Sequence, residues 1–185
     1  MKKTIVLLII IVSLIILSGI FYWIFRIDIQ DYLVSKDAIY WSENVEITIN
    51  DYEDEITPNS EFNINHYHTF YLKAESLDKA YVRSYFDKSK SWIKDTSNFD
   101  YSKQKEIQKI RFDLYEVYAR KFNNRIDEIK LKKSTQFKDL TQIGDSLFDA
   151  INISLYEIDN PNIELDKIIN KWKPIVSEML KESQK

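Results

Sequence analysis

Between Lys3 and Arg26 the chain carries no charged residue, and Ile5 to Phe25 form an apolar run of 21 residues. Wound as an α-helix, such a run spans about 31 Å, close to the ~30 Å hydrocarbon core of a bilayer. It predicts a transmembrane helix. Lys2 and Lys3 assign the N-terminus to the cytoplasm, and Tyr22 and Trp23 fall at the far end, where interfacial aromatics belong. A cleavable signal peptide has a shorter apolar core, about 7–15 residues, followed by small residues. Here Ser18-Gly19 is the one small pair, and bulky Ile20, Phe21, Tyr22 and Trp23 follow it. The expectation is an uncleaved signal anchor over residues 1–26, in contact with lipid through residues 5–25. A juxtamembrane connector over 27–36 and an exported domain over 37–185 would follow. The topology implied is a single membrane crossing.

Charge divides along the same boundary. Of the 26 basic residues, three lie in the first 26 positions, which hold no acid; the other 23 face 29 acids, a net of −6. A mildly acidic exported domain argues against nucleic acid as a partner. The chain has no Cys, which removes disulfides, thiolate metal sites, a cysteine nucleophile and lipoprotein-type attachment. With 44% hydrophobic residues, 2 Gly and 3 Pro, the composition suits an ordered domain.

Beyond the anchor the apolar period is two at first. Ala38 to Trp41, Val45 to Ile49, Phe62 to Ala74 and Ala80 to Phe86 predict strands, all within about 38–86. In the third, Phe62, Ile64, His66, His68, Phe70 and Leu72 share one face. Asp51 to Ser60, with Pro58, predicts a loop, and Ser89 to Phe99 a polar connection. From Tyr101 the period changes to about 3.6, which predicts helices over about 102–133, 135–157 and 163–181. Strands followed by helices give an α+β domain: a small antiparallel sheet packed against about three C-terminal helices, behind an N-terminal transmembrane helix.

The first of these helices is the centre of the pattern. Ile107, Ile110, Leu114, Val117, Tyr118 and Phe122 recur at three- and four-residue steps as one apolar stripe. Arg111 lies one turn from both Ile107 and Leu114, beside that stripe. Either its stem lies along apolar surface with the guanidinium in water, or it fills a place built for another group.

Four ordered segments resemble a bacterial family of exported zinc-protease-like domains, domain of unknown function 922. Ile39-Tyr40-Trp41-Ser42, Val45 to Thr48 and Asn50-Asp51-Tyr52 resemble its I-x-W…L-x-W-x-D-F opening. Phe86 to Lys94, with Trp92, is similar to F-x-x-x-x-S-W-V. Phe112-Asp113-Leu114 and Glu116-Val117-Tyr118-Ala119-Arg120-Lys121 resemble the end of H-E-Q-x-H-F-D-I-x-E-x-Y-A-R-K. Tyr156 to Trp172 is similar to Y-D-x-E-T-x-H-G followed by Q-x-x-W.

What the resemblance implies is a protease-like scaffold without its metal site. In H-E-x-x-H, two imidazoles one turn apart hold Zn²⁺ and the Glu deprotonates its water. Those positions are Ile107, Gln108 and Arg111 here, and the His of the fourth segment falls on Asn162. Ile offers no lone pair, Gln is no base, and Arg is a permanent cation. No catalytic residue, metal ligand or cofactor is therefore expected. Arg111 would replace the charge of the metal by pairing with Asp159, Glu157 or Asp113. Glu116 and Arg120 read on spacing alone as a solvated i, i+4 pair, and the resemblance adds a shared structural role.

The remaining histidines, His66 and His68, form a weak metal alternative, with a structural or surface role preferred. The functional expectation is a membrane-anchored, exported, non-catalytic relative of zinc-dependent proteases that binds an envelope protein, peptide or glycan. The alternatives are an active metallopeptidase with a rearranged site, and a structural subunit of a membrane complex.

Overall fold

A computed structural model describes residues 2–57, 60, 62–94, 100–130 and 137–183. The chain divides into two compact units, residues 1–36 and 37–185. The first is a single helix, α1 (Lys2–Asp37). Its apolar stretch is exposed from Thr4 to Phe25, and it is long and apolar enough to cross a membrane. A helix that is apolar all round and buries none of that surface suits lipid as its surroundings. Residues 27–36, the stretch expected as juxtamembrane connector, continue the same helix.

The second unit is α+β. Its strands are β1 (Ala38–Tyr40), β2 (Ile64–Asn65), β3 (His68–Lys73), β4 (Tyr81–Asp87) and β5 (Trp92–Ile93). Three helices follow: α2 (Tyr101–Lys130), α3 (Phe137–Ile158) and α4 (Leu165–Glu182). The strands form one antiparallel sheet in the order β1-β4-β3 and a two-stranded antiparallel ribbon of β2 and β5. Within the sheet, Ile39 and His68 both stand opposite Phe86.

Two strand expectations are corrected. Val45 to Ile49 is not a strand, although Val45 and Ile47 do turn inward onto Phe86 and Phe112. The cause is the turn at its end, where Asp51 Oδ2 accepts from both the backbone N–H and the hydroxyl of Thr48, at 2.8 Å each. That capping box starts a 3-10 turn at Ile49 and takes the chain away from the sheet. The stretch Phe62 to Ala74 is two strands, not one. Between them Tyr67 donates its N–H to Ser91 Oγ at 3.0 Å and accepts from Asp87 N at 2.9 Å. The chain thereby crosses from the ribbon to the sheet, and β5 lies inside the polar connection expected over 89–99.

Helix α2 is the hub. Its predicted stripe is buried against α3 and α4, with Leu114 and Val117 fully enclosed. Phe112 and Tyr115 are buried on another side, Phe112 on Phe86 and Ile47, Tyr115 against Phe70 and His68. One stripe therefore understates a helix covered on two sides. Leu140, Leu147, Ile151 and Leu155 of α3, and Ile168, Trp172 and Val176 of α4, complete the main core. Ile175 of α4 is exposed, and its neighbour Val176 takes the inward place. The expected continuation of α2 to Lys133, the start of α3 at 135, and Pro58 lie outside the described residues.

Candidate binding cleft around Arg111

Steps of three and four residues put Gln104, Ile107 and Arg111 on one face of α2. Opposite that face run residues 62–66 through β2, and the turn joining α3 to α4 closes one end. Between them lies a cleft of about 480 Å³, within the usual range for a small-ligand site.

Arg111 holds this cleft together. Its side chain is only 12% exposed, and Nη1 forms an ion pair and hydrogen bond with Asp159 Oδ1. Nη2 donates to the backbone carbonyl of His66 at 3.0 Å. One guanidinium thus ties α2 to the end of β2 and to the end of α3. Of the three acids expected as its partner, Asp159 is the one it meets. Glu157 pairs with Lys171, and Asp113 accepts from Trp41 Nε1 at 2.9 Å and from Lys109 at 3.2 Å. The turn that presents Asp159 is built locally. Asp159 N donates to Leu155 O at 2.8 Å, and Asn160 Oδ1 accepts from Asn162 N at 3.0 Å, an Asx turn around Pro161.

The four positions at which the resemblance would put metal chemistry are not all brought together. Ile107 and Arg111 line the cleft, whereas Gln108 is buried beside His68, its Nε2 lying 3.4 Å from His68 Nε2. Asn162 is exposed on the turn, and its neighbours Asp159, Asn160 and Ile163 line the cleft in its place.

Both histidines are buried, which replaces any surface role with a structural one. Tyr52 Oη lies 2.7 Å from His66 Nδ1, and burial holds the tyrosine hydroxyl above its usual range, so it stays protonated. Burial pushes His66 down to about 3, with Arg111 adding to the effect and the Gln104 side chain opposing it. His68 is held well below 6.5 by burial, then by Arg111 and His66, with the His66 backbone opposing. Packed among Phe86, Phe112 and Tyr115, it is a neutral aromatic in an aromatic nest. Among the described residues, His66 Nε2, His68 Nδ1 and Arg111 Nε meet no partner of normal hydrogen-bond geometry.

These residues do not fit a zinc ion. The two motif positions on the cleft are an aliphatic side chain and a cation already bound to a carboxylate. Among the described residues, no group of three or more His, Asp or Glu side chains is placed to hold a metal. The two imidazoles sit beside a fixed positive charge, which opposes a dication.

The matching motif residues act mainly in the framework. Glu116 accepts from Ser84 Oγ at 2.7 Å and from Arg120 Nε at 2.8 Å, and Arg120 Nη1 donates to Leu180 O at 3.2 Å. The Arg120 guanidinium also stands 5.1 Å from the Trp41 ring centroid. The Glu116–Arg120 pair is thus half-buried and joins β4, α2 and α4, unlike a solvated pair. Phe112, Tyr118, Ala119, Trp92 and Trp172 are buried, and Trp92 lines the cleft as well. Tyr156 is 82% exposed and supports nothing in the core. Tyr52 and Gln104 belong to the site without having been singled out. The signal for Gln104 is its place one turn before Ile107; Tyr52 had none beyond its place in the resemblance.

No protein-family model, curated protein or solved structure matches the chain.

Proposed function

We propose that this chain is a membrane-anchored, exported domain that works by binding and not by catalysis, on a scaffold related to zinc-protease-like domains. The observation that carries the reading is Arg111, seated between Asp159 and the His66 carbonyl on the wall of the cleft. In the motif resemblance that position belongs to a zinc-ligating histidine, and a bound guanidinium supplies positive charge where the metal would. The framework around it, Trp41–Asp113 and Ser84–Glu116–Arg120, supports a scaffold that keeps the shape the resemblance implies without the chemistry of its motif. Lys2 and Lys3 favour a cytoplasmic N-terminus in a bacterial inner membrane, with the cleft on the exported side.

The test is the metal content of the full chain purified in detergent, with peptidase activity followed on the same sample. Substoichiometric zinc and no hydrolysis are expected; stoichiometric zinc retained through dialysis would sink the reading in favour of a rearranged metallopeptidase. A role as a structural subunit of a membrane complex draws support from Ile153 and Tyr156, which lie three residues apart on α3 and are 77% and 82% exposed. Crosslinking in membranes, with Tyr156→Glu as control, distinguishes that role by the loss of a defined adduct.

A further inference from the structure

Strand β2 meets β5 on one side, and no further strand lies beyond it among the described residues. Lys94 N donates to the Asn63 carbonyl at 2.8 Å, while Ile64 stands opposite Ile93. Exchanged hydrogen bonds alternate along an antiparallel pair, so with Asn63 turned to β5, Ile64 turns its N–H and C=O to the other edge. His66, two residues on, turns its carbonyl the same way, and that carbonyl receives Arg111 Nη2. The open edge of β2 therefore faces the side of the cleft that Arg111 occupies.

The opposite walls are apolar, with Ile107, Ile163, Leu165 and Ile168. Charge in the lining is paired: Arg111 with Asp159, and the solvent-exposed Glu164 with Lys167 at 3.3 Å, with His66 neutral. A charged ligand would lose water there and gain no counter-charge. A backbone edge, in contrast, offers one donor and one acceptor to any group that carries both.

We infer that the cleft binds an uncharged ligand in which a secondary amide sits between apolar groups, the amide pairing with the N–H and C=O of Ile64. This rests on the reading of the domain as a non-catalytic binder and names its ligand class. The experiment uses ¹⁵N-labelled full chain in detergent micelles and three probes. These are N-acetyl-leucine N′-methylamide, its carboxylate analogue N-acetyl-leucine, and its ammonium analogue leucine N′-methylamide.

The neutral probe is expected to shift the Ile64 amide and the Trp92 indole, with both charged analogues roughly tenfold weaker or more. Ile163→Trp, on the turn, should fill the cleft and abolish binding at unchanged melting temperature; Ile163→Phe should weaken it. Equal binding of either charged analogue, an unmoved Ile64 amide, or normal binding by a folded Ile163→Trp protein would each overturn the inference. Cleavage of the neutral probe would overturn the non-catalytic reading instead, while leaving the ligand class standing.

Discussion

Arg111 and the two histidines form one electrostatic problem, solved by pairing the charge and keeping the rings neutral. Removing the guanidinium frees Asp159 and leaves the His66 carbonyl without its donor. Because Asp159 is 42% exposed and can return to water, Arg111→Ala should cost about 2 kcal/mol, below the loss for a fully enclosed pair. A cycle with Asp159→Asn should show coupling of about 1 kcal/mol by chemical denaturation; additive effects would mean that the pair contributes nothing as a pair. The histidines predict a pH dependence with a definite sign. Their folded values lie below 6.5, so the unfolded chain binds more protons as pH falls. Stability from the neutral rings is complete above about 6.5 and declines from there toward 3, the folded value of His66. Each ring contributes at most ~1.4 kcal/mol per pH unit, so two give a slope of up to ~2.7. Read between pH 5 and about 6.5, above the range where most carboxylates titrate, a folded His66→Gln variant should roughly halve that slope. An unchanged slope would mean the ring is not the titrating group.

Among the elements, α2 and α3 meet where Gly144 comes up to Phe122. A Cβ built on Gly144 would stand 3.4 Å from Phe122 Cε1 and Cζ, the edge of ordinary contact. Gly144→Ala should therefore gain helix propensity of up to ~1 kcal/mol with little strain, while the larger Gly144→Leu should force Phe122 aside and lower the melting temperature. Helices of this kind were legible because a period of 3.6 sustained over 20 residues has few competing readings. The short strands were less so. Val45 and Ile47 alternate with polar residues as strand residues do, yet the Asp51 side chain, three positions after Thr48, turns the chain before it can pair. His66 and His68 alternate as one face, yet the backbone switches partners between them. The first outcome depends on a local side-chain hydrogen bond between Thr48 and Asp51 and the second on tertiary hydrogen bonds from Tyr67 to Ser91 and Asp87, and an apolar period encodes neither. In the cleft, motif spacing located Ile107 and Arg111 and put Asp159 among the partners. It missed that Asn162 would stay on the outside of its turn, because an Asx turn sets side-chain direction independently of sequence distance.

For the molecule as a whole, one helix decides where everything else works. Inserting the Ile, Leu, Val and Phe residues between Ile5 and Phe25 into lipid is favourable, whereas a Lys at the centre of such a helix costs about 2.5–3.5 kcal/mol on the insertion scale. The pair Val12→Lys and Ile16→Lys, one turn apart, should therefore forfeit about 5–7 kcal/mol and move the chain into the carbonate-extractable fraction. A chain still resistant to extraction would be held by something other than α1. Orientation can be measured cleanly because the protein has no cysteine of its own. Single variants Lys3→Cys and Lys36→Cys put one thiol before the apolar run and one after it. With the domain exported, a membrane-impermeant maleimide added to intact spheroplasts labels Lys36→Cys at once and Lys3→Cys only after permeabilisation. The reverse order would bring the cleft to the cytoplasmic side and remove envelope ligands from consideration. Labelling of both in intact cells would mean that the helix does not span the bilayer.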